Sequence, residues 1–209
     1  MIRANWRNRQ VPRTKDDQLH ARRQQQILEA ARHCFVLNGF HRTTMRQIFA
    51  KAKISAGGAY NFFSSKGDIV KALVCEERAL IEQLTEGANS FKNPLDAILQ
   101  LIFNAISNTS HQDALLAVEI YAEACRNPEI KMLEKENSNR LKAFFQTKVS
   151  DGIKQGIIME QYPVADYADF LIVLLEGYIG RIASDPMLSP EKFGNIAKEF
   201  AQKLLMKTP

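Results

Sequence analysis

The sequence predicts an all-α fold, and three observations carry that expectation. Of its 209 residues, 103 are Ala, Leu, Glu, Lys, Arg, Gln or Met, the strong helix formers. Val, a strong strand former, occurs only 8 times, and no stretch alternates apolar and polar residues for long. Proline supplies the third. Pro94, Pro128, Pro163 and Pro190 each stand just ahead of a segment with helical apolar spacing, where a first-turn proline sacrifices no hydrogen bond.

The elements follow in order. A first helix is expected from about Asp17 to Asn38, with Ile27, Ala31, Cys34 and Phe35 on one face and Gly39 as its stop. Short helices follow from Thr44 and from Ser55. A longer one starts at Ser65, carries Ile69, Leu73, Leu80 and Leu84 as its stripe with Val70, Val74 and Ile81 beside it, and ends at Gly87. Pro94 to Asn108 places Leu95, Ile98, Leu99, Ile102 and Ile106 on one face. Ser110 to Arg126 forms the next helix. Pro128 opens a long one through Ile130, Leu133, Asn137, Leu141, Phe144 and Phe145 to about Gly152–Gly156. Pro163 to Ala183 is apolar on nearly every side, and the last helix, from Pro190, carries Phe193, Ile196, Ala197, Phe200 and Leu204. The total is about nine helices.

Charge divides the chain unevenly. Residues 1–71 hold 14 Lys/Arg against 4 Asp/Glu, and residues 72–209 hold 14 against 19. A basic third on an acidic body points to a surface for a polyanion, most simply nucleic acid, although basic membrane-surface segments share this pattern and charge alone does not decide between them. Residues 1–16 read as a basic arm, able to settle in a minor groove or to remain a solvated tail. No apolar run approaches a membrane span, and nothing apolar follows the basic start as a signal peptide requires. Three widely spaced cysteines argue against a disulfide framework and for a reducing cytoplasm. Neither metal spacing among His20, His33, His41 and His111 nor a catalytic set stands out, so no metal, no cofactor and no enzymatic activity are expected.

Residues 44–63, TMRQIFAKAKISAGGAYNFF, hold the strongest functional signal. Thr44 is a good N-cap, with Gln47 three residues on to close a capping box. Ser55 caps the next helix almost at once. Two short helices with so tight a turn are the layout of a helix-turn-helix, whose second helix enters the major groove by its N-terminal end. Here that end is Ser55-Ala56-Gly57-Gly58-Ala59, small enough for close approach, with Tyr60 and Asn61 able to reach phosphate or a base edge. Ser65 and Lys66 open a further helix end suited to a phosphate.

With Gln26 to Ala31, Phe35, Gly39-Phe40, Thr43-Thr44, Ile48, Ala52, Ser55, Gly57, Tyr60, Phe63 and Ser65-Lys66 in place, residues 22–72 resemble the TetR family of bacterial transcriptional regulators. The resemblance implies a three-helix DNA-binding domain over residues 17–71, and a larger domain over 72–209 for ligand and dimer contacts. Carried over by position, it puts DNA contacts on Thr44, Arg46, Ser55, Ala56, Gly58, Tyr60, Asn61 and Lys66. Three positions depart from the family pattern. Lys53 stands where a turn glycine is usual, Phe49 replaces a small residue, and Phe62 replaces a common histidine. Residues 119–130 are loosely similar to choline–betaine-type regulators of the same family, which implies no particular ligand.

In the larger domain Glu119, Glu123, Asn137 and Glu176 read either as polar anchors of a ligand cavity or as surface and dimer-facing groups. Phe103, Tyr121, Phe145 and Tyr178 read as cavity wall or as core. A four-helix dimer seam is expected from Leu174, Gly177, Gly180, Phe193, Ile196, Phe200 and Leu204. The expectation is a homodimeric repressor on a palindromic double-stranded DNA operator, released by a small apolar or amphipathic effector, with no membrane partner. The rival readings are a non-specific architectural DNA-binding protein and a small helical ligand carrier or enzyme.

Overall fold

The computed structural model describes residues 15–206, and among them there are nine helices and no strand. They are α1 (Lys15–Asn38), α2 (Met45–Ala52), α3 (Ala56–Tyr60), α4 (Lys66–Asn89), α5 (Pro94–Ser107), α6 (His111–Ala124), α7 (Pro128–Lys154), α8 (Val164–Ser184) and α9 (Pro190–Leu205). The basic arm lies, up to residue 14, outside the described residues.

Local sequence sets most of the boundaries. Gly39 adopts φ +77 after α1, the left-handed turn that glycine takes at no steric cost. Thr44, Ser55 and Ser65 each accept a backbone N–H of the following first turn. Asn93 and Asn127 do the same ahead of Pro94 and Pro128. Two expectations need correction. Pro163 is itself the N-cap of α8 and caps without a side-chain bond, whereas Pro94, Pro128 and Pro190 open their helices. Gly87 does not end α4. With helical partners continuing on both sides it is absorbed, and the helix runs on to Asn89 with Ser90 as its cap.

Helix α5 is the axis of the body. Its Leu95, Ala97, Ile98, Leu99, Leu101, Ile102 and Ile106 are all buried, because α4, α7, α8 and α9 pack around it. Burial of one such side chain contributes about 1.5–3 kcal/mol. Tyr167 is fully buried in the same core and keeps its hydroxyl satisfied by donating to the Met159 carbonyl at 2.8 Å. A second core joins α1, α2, α3 and the start of α4 through Ile27, Phe35, Ile48, Phe63, Ile69 and Leu73. That cluster also takes in Leu116 and Ile120 of α6 and Ile130 of α7, so apolar packing crosses the expected boundary at residues 71–72. The α4 stripe is one residue off the sequence expectation at its middle. Ile81 is buried, while Leu80 is 42% exposed.

Candidate nucleic-acid interface and regulatory body

The turn between α2 and α3 is built as the sequence suggests. Thr44 and Gln47 close a reciprocal capping box, and α2 buries Ile48, Phe49 and Ala52 against α1. The Gln26 amide donates to the Ala52 carbonyl at 2.6 Å and pins the end of α2. Lys53 then takes φ 53, the only positive φ outside glycine among the described residues, which lets α3 start three residues later, at Ala56. Phe49 finds its room beneath Tyr60, ring edge to ring face at 5.1 Å, and Phe62 stacks with His20 at 4.5 Å.

Thr44, Arg46, Ser55, Ala56, Tyr60 and Asn61 are exposed and Gly58 is half-exposed, all in or beside the α2–α3 unit. A Cβ on Gly57 would meet nothing within 4 Å, so no contact inside the chain demands glycine there. Lys66 is the exception in the set. Its ammonium turns inward and donates to the carbonyls of Phe40 (2.5 Å), Thr43 (2.8 Å) and His41 (3.3 Å), over the Phe40 ring at 4.3 Å. Desolvation lowers its pKa, with Glu123 opposing. In this structure its donors are taken by carbonyls of the α1–α2 loop, so that it braces the loop as a strut.

Two residues expected in a ligand cavity also brace this loop. The Phe40 N–H donates to the Glu119 carboxylate at 2.8 Å, and Glu123, buried, lies 3.7 Å from the His41 ring. Both sit at the seam between α6 and the head formed by α1, α2, α3 and the start of α4. Their partners stand 79 and 82 residues away in sequence, too far for any local pattern to reveal.

Deeper in the body, four helices converge on a polar cluster. Asn137 is buried, donates to the Val74 carbonyl at 3.1 Å and to Glu77 at 3.5 Å, and accepts from Arg78 at 3.2 Å. Glu77, half-buried as a residue, turns its carboxyl inside and shares a hydrogen bond with Glu134. Burial holds the Glu77 carboxyl above its usual range against those hydrogen bonds and against Arg32. Burial, with Glu77 and Glu176 adding like charge, pushes Glu134 up to about 8. Tyr121 is raised by the same burial and the same three acids, and burial raises Glu176 at the exposed rim. Sequence reasoning reached Tyr121, Asn137 and Glu176 but missed Glu77 and Glu134. The signal was present, since Glu134 stands four residues after Ile130 and three before Asn137, on the inward stripe of α7.

The aromatic candidates go elsewhere. Phe145 is fully buried beside Phe144, Phe103 lies against Gly194 where α5 meets α9, and Tyr178 packs on Phe193 at 5.4 Å. These three are core and helix-packing residues. Among the expected dimer residues, Gly177, Gly180 and Phe200 are exposed and Ile196 is half-exposed. Leu174, Phe193 and Leu204 are half-buried against the body's own core. Phe170 and Val173, 52% and 61% exposed, lie on the same α8 face one turn toward its start.

Comparison with known proteins agrees with this geometry. Residues 27–73 match the profile of the bacterial regulatory proteins, tetR family. The chain is 28% identical over 174 residues to the HTH-type transcriptional regulator UidR of Escherichia coli strain K12, spanning 80% of this chain and 85% of that one. Among solved structures, GusR of Salmonella enterica superposes with a TM-score of 0.73 at 23% identity, over 93% of this chain and 99% of the other. A transcriptional regulator from Saccharomonospora viridis, solved in complex with choline, gives 0.78 at 18% identity, over 90% and 100%. These superpositions extend over 90–93% of the chain, beyond the stretch that the family profile covers.

Proposed function

We propose that the chain, whose residues 27–73 match the profile of the bacterial regulatory proteins, tetR family, acts as a homodimeric repressor released from a palindromic operator by a small effector. The observation that carries this is the exposed α3 start, held by the Ser55 cap and by the left-handed Lys53 on a head of net positive charge. Base and phosphate contacts are assigned to Thr44, Arg46, Ser55, Ala56, Gly58, Tyr60 and Asn61. Lys66 and Glu119 set the angle at which the head is presented. Dimerisation uses Phe170, Val173, Gly177 and Gly180, one face of α8 at helical spacing, together with Ile196 and Phe200 of α9.

Release follows from α4. The helix is continuous from the Ser65 cap through the head core to the Asn137–Glu77 cluster, so a shift in the body rotates the head. Two recognition helices must stand about 34 Å apart on B-DNA, one helical turn. An effector moves them only if it binds the displaced state more tightly. The test is Val173→Glu and Phe200→Glu, read by sedimentation and by operator anisotropy. Monomers with lost operator binding are expected. A wild type that is monomeric at micromolar concentration refutes the dimer, and equal affinity for any duplex favours the architectural reading instead.

A further inference from the structure

The residues assigned to DNA contact include one fixed cation, Arg46, because the Lys66 ammonium is taken up by the α1–α2 loop. Binding to phosphate draws its strength from lysine and arginine, and the head holds more of both than that set uses. Between α1 and α3 lies an open cleft of about 460 Å³. Ser55, Gly58 and Asn61 form one wall, so the cleft borders the face that presents α3. Arg23 of α1 and Lys53 of the turn line it from the other side, with His20 stacked on Phe62 at 4.5 Å. None of the residues lining it is acidic.

Two local features bring the cations to this place. Arg23 donates to the Gln26 side chain at 3.3 Å, and Gln26 donates to the Ala52 carbonyl at 2.6 Å. The guanidinium is thereby tied to the residue next to Lys53. Lys53 in turn carries the only positive φ outside glycine among the described residues. A glycine would take that backbone without strain, and the exposed lysine side chain recovers nothing by burial. The strain serves what the ammonium can reach outside the fold.

We infer that the cleft is a phosphate clamp, in which Arg23 and Lys53 hold a phosphodiester of the strand that borders the groove entered by α3. The inference rests on the DNA-binding reading given above and adds two contact residues to it. A guanidinium has five N–H donors, so Arg23 keeps a fork for phosphate beyond its bond to Gln26, and Lys53 adds a point charge. The clamp reads no base. It fixes the depth and register of α3, which at five residues is too short to set them alone.

The experiment uses the full chain with two duplexes, a palindromic one selected from a random pool and a mixed-sequence one of equal length. Binding is followed by anisotropy across a salt series. Arg23→Gln and Lys53→Gly should each weaken both duplexes about ten-fold and lower the slope of log K against log salt by about one per head. Lys53→Gly should do so while raising the melting temperature, which separates a lost contact from a damaged fold. Lys135→Gln, exposed on α7 outside the head, should change neither affinity nor slope. A neutral methylphosphonate is then placed at each phosphate of the selected duplex in turn. At the clamped phosphate of each half-site, its loss and that of Arg23→Gln should fail to add. Slopes unmoved by both variants, or losses that add at every position, overturn the clamp and leave the repressor reading standing. A wild type that binds neither duplex overturns that reading, and the clamp with it.

Discussion

Replacing Lys66 by Met removes the ammonium and keeps most of the stem that lies over Phe40. The loss falls on two short bonds, to the carbonyls of Phe40 and Thr43, and on a weaker one to His41. A hydrogen bond to a charged donor contributes about 1.5–3 kcal/mol when dry. These carbonyls border solvent, with His41 exposed, and water recovers part of each bond. The net cost is then about 2 kcal/mol, below the about 3 kcal/mol that two fully dry bonds give at the lower end, with the third neglected. In urea unfolding that lowers the midpoint by about 1 M at a slope of about 2 kcal/mol per M. Operator affinity should fall as well, because the loop that carries Thr44 loosens. The dependence of log K on log salt should keep its slope, since no phosphate contact has been removed. The opposite result, a slope smaller by about one with the urea midpoint unmoved, would return Lys66 to the phosphates and refute the strut.

Lys53→Gly should raise stability by about 0.5–1 kcal/mol, because the left-handed backbone at φ 53 penalises a residue with Cβ; a lower melting temperature would contradict this. Gly152→Ala places a Cβ 2.5 Å from Ile158 Cδ1 and should cost about 1–3 kcal/mol on thermal denaturation. Gly57→Ala meets only open space and should leave the melting temperature at or above wild type while weakening operator binding, the signature of close approach to DNA. For pH, Glu134 is raised from 4.5 unfolded to about 8 folded, so the folded state holds more protons between those values. Stability should therefore decline as pH rises through that window, and Glu134→Gln should flatten the decline in a series of melts from acid to alkaline buffer.

What the sequence revealed is what a short stretch of chain decides for itself. Thr44 with Gln47, Ser55, Ser65 and Gly39 act over three or four residues, and each is found where the sequence put it. Roles made by distant pairing were hidden. Lys66 was read from its position at a helix start, yet its partners lie 23 to 26 residues upstream. Glu119 was read from its apolar neighbours, yet it serves the Phe40 N–H across the seam between head and body. Leu80 and Ile81 show the same limit in small form. Both are apolar and adjacent, and only the partner helix decides which one turns inward. The acid cluster was half legible, because Glu176 was noticed as an acid among apolar residues and Glu134, on a stripe, was not.

The sharing of one apolar cluster by Ile27, Phe35 and Ile69 with Leu116, Ile120 and Ile130 bears on how such regulators can be recombined. The head is not a portable cassette. A chimaera spliced near residue 72 would seat a foreign head on the Leu116–Ile120 face of α6, and a mismatch of one or two methylenes there costs about 1–3 kcal/mol before DNA is considered. Rewiring the operator preference of this chain is therefore better done by exchanging the exposed residues of α2 and α3 in place. A whole-head graft would have to carry compensating residues at positions 116, 120 and 130, and drift at those three sites would keep lineages of such heads and bodies matched.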